Sequence, residues 1–144
     1  MEKLNEIFFY HLDRSIKSYR QFAQEKLKEY GFKITIDQWL VLKAISDNPE
    51  ISHNELSDSV FKDKASVTRI IELLVDAGYL KSEVHPDSGR KRKLTVTRKA
   101  YALLDAIRPF VLKNRKLALK DISHAEIVIA EKVLKRISAN CKRK

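Results

Sequence analysis

The sequence predicts a mainly α fold, a winged helix-turn-helix with a two-stranded β-wing, flanked by long helices at both ends. Three observations lead there. Apolar residues recur at helical spacing along most of the chain, and three glycines and three prolines in 144 residues leave little room for long loops. The stretch 51–97, ISHNELSDSVFKDKASVTRIIELLVDAGYLKSEVHPDSGRKRKLTVT, reads as a short helix, a tight turn, a second helix closed by a glycine, and a hairpin with a basic tip. Helix starts are marked by Thr or Ser followed three residues later by Gln or Glu, the reciprocal pattern that satisfies two otherwise unpaired amides.

From the first residues onward, Leu4, Ile7, Phe8, Leu12, Ile16, Tyr19, Ala23, Leu27 and Tyr30 fall on one helical stripe, and Gly31 supplies the left-handed residue that ends it. A helix over 4–30 outruns any compact core this chain can build, so part of its stripe is expected to meet another chain. Thr35 and Gln38 open a second helix near Ile36, with Trp39, Leu40, Leu42 and Ile45 facing inward and Asn48-Pro49 ending it. Ser52 and Glu55 open a short third helix with Leu56 and Val60 inside. The next helix spans 64–77 and stops at Gly78. At about 100° per residue, Val67, Ile70, Ile71 and Leu74 share its inner side, while Ala65, Thr68, Arg69, Glu72 and Asp76 share the outer one.

Residues 79–84 and 92–97 alternate as two strands, with Leu80, Val84, Leu94 and Val96 as the inward positions and a turn over 85–91 between them. Thr97 caps a helix that carries Leu103, Leu104, Ile107, Phe110 and Val111 inward; Pro109 is expected to kink or split it. Ser123 and Glu126 open a last helix with Ile127, Ala130, Leu134, Ile137 and Cys141 on one stripe. The two ends of the chain thus resemble each other, and they are expected to act as dimerisation helices, each pairing with its copy. The chain is read as a single domain over 1–144, with a reading part at 35–97 and a helical dimerisation part at 1–34 and 98–144.

The chemistry points to a polyanion. Lys and Arg number 29 against 19 Asp and Glu, a formal net charge of +10, and neutralising phosphates releases condensed counterions. The first two turns of the 64–77 helix are small, hydroxylic and basic on the outer side, through Ala65, Thr68 and Arg69 with Lys64 and Ser66 flanking. Small residues allow close approach in a major groove, and an arginine reaches a guanine edge or a phosphate. Arg90, Lys91, Arg92 and Lys93 are four consecutive cations. A charge run alone is usually a solvated face; this one follows directly on a helix suited to groove reading. Double-stranded DNA is therefore the expected partner, with an arginine at the tip suited to a narrow minor groove.

The same residues carry a resemblance. S52-HN-E55-L56, D63-KASVTR-I70, L74-VDAG-Y79-L80, the wing G89-R90 with L94, and T97-RKA resemble the MarR family of bacterial regulators, and the order of elements matches along nearly the whole chain. The resemblance implies a homodimer on a pseudo-palindromic operator, usually a repressor, with a small-molecule effector or an oxidant that weakens DNA binding. It assigns Lys64, Ser66, Thr68 and Arg69 to the recognition helix, Arg90 to the wing arginine, and Lys91 and Arg92 to backbone contacts. The family's usual wing is Asp-x-Arg; here Ser88 holds the place of the acid and Asp87 lies one residue earlier.

Other classes fare worse. The four histidines, His11, His53, His85 and His124, lack metal-ligand spacing, and no phosphate loop, H-E-x-x-H or nucleophile motif is present, so no enzyme, cofactor or metal is expected. No run of about 18 apolar residues suggests a membrane span, and the N-terminal residues do not read as a signal peptide, so the expected location is the cytoplasm. One cysteine, Cys141, allows no internal disulfide; neighbouring Lys142, Arg143 and Lys144 favour its thiolate and an oxidant-sensing role, whereas its place on an apolar stripe favours a packing thiol. Tyr19 and Trp39 serve either as pocket lining or as core. The rival to a DNA regulator is a winged-helix module that docks a protein or RNA and touches DNA without sequence preference.

Overall fold

The computed structural model describes residues 1–142, with the backbone but not the side chains of 88–91. A 3-10 turn at Leu4–Glu6 leads into α1 (Phe8–Glu29), α2 (Ile36–Asp47), α3 (His53–Ser59) and α4 (Lys64–Asp76). A hairpin of β1 (Leu80–His85) and β2 (Ser88–Val96) follows, then α5 (Arg98–Ala118) and α6 (His124–Cys141). This is the expected mainly α, winged helix-turn-helix fold.

Local chemistry sets the boundaries. Thr35, Ser52 and Ser123 each accept a hydrogen bond from the amide three residues on, and Gln38, Glu55 and Glu126 answer from the other side. The 4–30 helix starts later than its stripe predicts. Ile7 is extended, and the Lys3 amide donates to the Glu6 carboxylate at 3.1 Å, so the first turn is a separate unit and α1 begins at Phe8. Helix α5 runs unbroken through Pro109 instead of splitting. A proline inside a helix removes one backbone bond and crowds one carbonyl, and 21 residues of helix hold the rest in place.

Three helices end in the same way, with a left-handed residue and paired 6→1 and 5→2 amide bonds. In α1 that residue is Gly31, in α4 it is Gly78, and in α3 it is Phe61 at φ 56°. Around Phe61 the bonds run from Lys62 N–H to Ser57 O at 3.0 Å and from Phe61 N–H to Asp58 O at 3.1 Å. Nothing in V-F-K-D advertises a left-handed position, and the ring itself is 94% exposed.

One core joins α1 to α5. Leu27, Val41, Leu42, Ile45, Leu56, Val67, Leu74, Leu80, Val96 and Ile107 close into a single buried cluster, with Ile70, Ile71, Trp39, Val60 and Leu94 packed against it. Val41 is fully buried although the α2 stripe read from the sequence omitted it. The hairpin is antiparallel, with Leu80 opposite Val96, Ser82 opposite Leu94 and Val84 opposite Arg92, and a bulge between Val84 and His85. Its base is buried through Leu80 and Val96, whereas Val84, expected inside, is 55% exposed. The outer half of the hairpin projects past the body, so the alternation continues without a surface to pack on. The turn is also tighter than 85–91: only Pro86 and Asp87 lie outside the strands, and positions 90 and 91 are on β2. No helix among the described residues is long and apolar enough to cross a membrane.

A left-handed side chain costs on the order of 1 kcal/mol relative to glycine. Because the Phe61 ring buries almost nothing, Phe61→Gly is expected to stabilise the fold by about 1 kcal/mol, measured as a raised urea midpoint at unchanged slope.

Candidate nucleic-acid interface

Helix α4 begins at a side-chain cap. Asp63 accepts the Ser66 amide on Oδ1 at 2.8 Å and the Ser66 hydroxyl on Oδ2 at 2.9 Å. These bonds, the backbone one first, hold the Asp63 carboxyl below the usual carboxylate range. Ser66 is thereby half-buried, its hydroxyl proton committed to the cap. Thr68 is exposed and donates its hydroxyl to the Lys64 carbonyl at 2.9 Å. Lys64 and Arg69 are exposed, and neither side chain has a hydrogen-bond or ion-pair partner among the described residues.

A residue the sequence reading left out joins this group. His53, the first residue of α3, places Nε2 3.3 Å from the Lys64 carbonyl and 3.4 Å from Thr68 Oγ1. It ties the start of α3 to the first turn of α4. The signal was present in S52-H-N-E55, where the box fixes His53 at the exposed first turn, but its partners lie across a turn that sequence does not fold.

The wing contributes less than four cations suggest. Arg92 turns its guanidinium back onto β1, donating from Nε to Ser82 Oγ at 3.0 Å and from Nη2 to Ser82 O at 2.8 Å. Lys93 is paired with Glu50. The side chains of Arg90 and Lys91 lie outside the described residues.

Charge is distributed differently from what the total implies. Residues 35–97 hold nine Lys and Arg against ten Asp and Glu, whereas 98–144 hold thirteen against four. The whole-chain excess therefore does not sit in the 35–97 stretch. Six of the ten acids in that stretch are engaged in ion pairs or helix caps. Asp37 pairs with Arg20 and Lys62, Asp47 with Lys43, Glu50 with Lys93, and Glu83 with Lys81. Asp63 and Glu55 are helix caps. What is left unpaired at the start of α4 is positive.

The end of α4 is clasped by the start of α5. Thr97 Oγ1 accepts the Ala100 amide at 3.2 Å and donates to the Gly78 carbonyl at 2.7 Å. Lys99 Nζ donates to the Ala77 carbonyl and lies 4.7 Å from the centre of the Tyr79 ring. A cation on the last carbonyls of a helix also suits its dipole.

A capped helix with an exposed, unpaired basic start, joined by a tight turn to a short helix and flanked by a two-stranded hairpin, defines a winged helix-turn-helix protein. The MarR family profile matches residues 30–91. The HTH-type transcriptional regulator BilQ of Clostridioides difficile (strain CD3) is 30% identical over 124 residues, covering 84% of this chain and 82% of that protein. Two solved structures share the fold. One, reported for the regulation of DNA binding of Bordetella bronchiseptica BpsR by 6-hydroxynicotinic acid, has TM-score 0.86 at 24% identity and covers 96% of this chain and 97% of that one. The other, a mutant MarR from E. coli complexed with operator DNA, has TM-score 0.84 at 21% identity and covers 95% and 99%. The chain belongs to the MarR family of DNA-binding transcriptional regulators. Its relatives are regulators rather than enzymes.

Thr97→Ala removes a cap and the Gly78 bond together. It is expected to cost about 1–2 kcal/mol, measured by chemical denaturation, and to speed hydrogen exchange at the last amides of α4 as well as the first of α5.

Proposed function

We propose that the protein represses transcription by binding a pseudo-palindromic operator as a cytoplasmic homodimer, and that a small ligand weakens this hold. The observation that carries the reading is the pair of cations, Lys64 and Arg69, unpaired among the described residues, on the exposed first turns of a firmly capped helix. In this reading Arg69 contacts a base edge, Lys64, Ser66 and Thr68 line the groove or its phosphates, and Arg90, Lys91 and Arg92 serve the wing. Arg92 reaches DNA with the donors that Ser82 leaves free. The part over 35–97 reads DNA, and 1–34 with 98–144 dimerise.

The dimer is supported by what one chain leaves uncovered. Phe8, Phe9 and Ile16 on α1, Leu117 on α5, and Val128 and Ile129 on α6 are all exposed. Ala130, Leu134 and Cys141 of the α6 stripe are exposed as well, so the thiol is not a packing group within one chain. Exposed apolar surface of this extent on long helices is an interface signature.

The effector is supported by a cavity of about 180 Å³ between α1, α2 and α5, lined by Tyr19, Arg20, Trp39, Asn114 and Arg115 among others. Asn114 is buried, and its Oδ1 has no hydrogen-bond partner among the described residues. Buried acceptors are rarely left unpaired, and a small molecule with a donor supplies what this one lacks.

Two experiments test the reading. Selection from a random duplex pool at about 150 mM salt, where non-specific binding is suppressed, is expected to return a two-armed palindrome with half-sites about one helical turn, 34–36 Å, apart. Sequence-blind enrichment would sink the operator reading and favour a module that docks protein or RNA. Against the selected site, Arg69→Ala is expected to cost about 1–3 kcal/mol and to relax the preference at one base pair. Equal loss on operator and random duplex would exclude base readout by Arg69.

A further inference from the structure

The outer half of the hairpin reaches the body through an acid that no wing motif contains. Glu50 lies between α2 and α3, two residues ahead of the Ser52 cap. Its Oε1 accepts a hydrogen bond from Lys93 Nζ at 3.0 Å, and its Oε2 lies 3.4 Å from His85 Nε2. The imidazole tautomer follows from the other nitrogen. The Asp87 amide donates to His85 Nδ1 at 3.1 Å, so Nδ1 is an acceptor and the proton sits on Nε2, directed at Glu50.

The two partners are on different strands. His85 ends β1, beside the bulge, and Lys93 lies on β2 opposite Glu83. One carboxylate therefore grips both strands just where the apolar footing stops: Leu94 still packs on the core, and Val84 no longer does. The Lys93 hydrogen bond, followed by that from His85, holds the Glu50 carboxyl below the usual carboxylate range.

We propose that Glu50 is a positioning residue for the wing: it fixes the angle at which the hairpin tip leaves the body, and so where the tip meets the duplex relative to α4. The proposal rests on the operator-binding reading above.

Charge alone and positioning predict opposite signs. A carboxylate near phosphates repels them, so as a bare charge its removal strengthens binding to any DNA. As a clamp, its removal frees the tip and weakens operator binding specifically. The test compares Glu50→Ala and Glu50→Gln with the wild type in three measurements: hydrogen exchange of the 82–85 and 92–95 amides in the free protein, affinity for the operator and for a random duplex of equal length, and thermal midpoint. For Glu50→Ala the expected result is wing exchange faster by about threefold and operator affinity lower by about threefold, the scale of an exposed ion pair. Random-duplex affinity is expected to hold or rise, with the thermal midpoint unmoved. Glu50→Gln, which keeps an acceptor for Lys93, is expected to retain more wing protection than Glu50→Ala.

Unchanged wing exchange, or a gain in operator affinity for both variants alike, would overturn the proposal. A wild type with no preference for operator over random duplex would instead overturn the operator reading, and the exchange data would still decide whether Glu50 holds the wing.

Discussion

The constraint on which the rest depends is the junction where α4 ends and α5 begins. A single hydroxyl, that of Thr97, closes α5 at its start and holds the carbonyl of Gly78 just past the end of α4. The Thr97 amide donates to the Tyr79 carbonyl at 3.2 Å, which closes the base of the hairpin at the same place. Helix α4, the wing and the long helix α5 therefore share one fixed point. Glycine suits that point for its backbone: at φ 80° any side chain is strained, whereas a Cβ on Gly78 would make only ordinary contact with Lys99, 3.6 Å away.

A second tie runs on the other side of the reading helices. Asp37, in the first turn of α2, holds Arg20 of α1 and, at 3.3 Å, Lys62 of the turn between α3 and α4. The cavity that contains Asn114 lies against the same segment of α1, with Arg20 in its wall. On the proposed reading, Asp37 and Thr97 are the contacts through which a shift of α1 or α5 around an occupant would reach the start and the end of α4. Neither link needs a flexible intermediary.

How much of this was legible in the sequence follows from the range of each interaction. Caps and stops are local, so Thr35, Ser52, Thr97, Ser123, Gly31 and Gly78 announced themselves within three or four residues. Inner faces were legible where one surface decides them, as with Val67 and Leu74, and failed where the partner surface runs out, as with Val84. Val41 was missed because α2 is covered on more than one side, which blurs a single stripe. Phe61 was invisible because its left-handed turn comes from how α3 closes rather than from its own chemistry. The outward face of α4 was readable by periodicity. The uses that Ser66 and Arg92 make of their donors were not, since cap and cross-strand geometry decide them. Glu50 and Lys93 are 43 residues apart, and no local rule connects them. The charge total misled most: a count cannot say which acids are already paired.

Helix α6 has a last consequence. Within one chain only Ile127 and Ile137 of its apolar stripe are even half-buried. A surface helix draws most of its stability from the face it buries, so on the proposed assembly α6 owes its order to the second copy. Folding of the C-terminal end and pairing then become one mass-action step. At low copy number the concentration of competent dimer falls with the square of the total chain. On that assembly the regulator's dose response would be steepened before any operator is met, and a modest drop in synthesis would lift control more than proportionally.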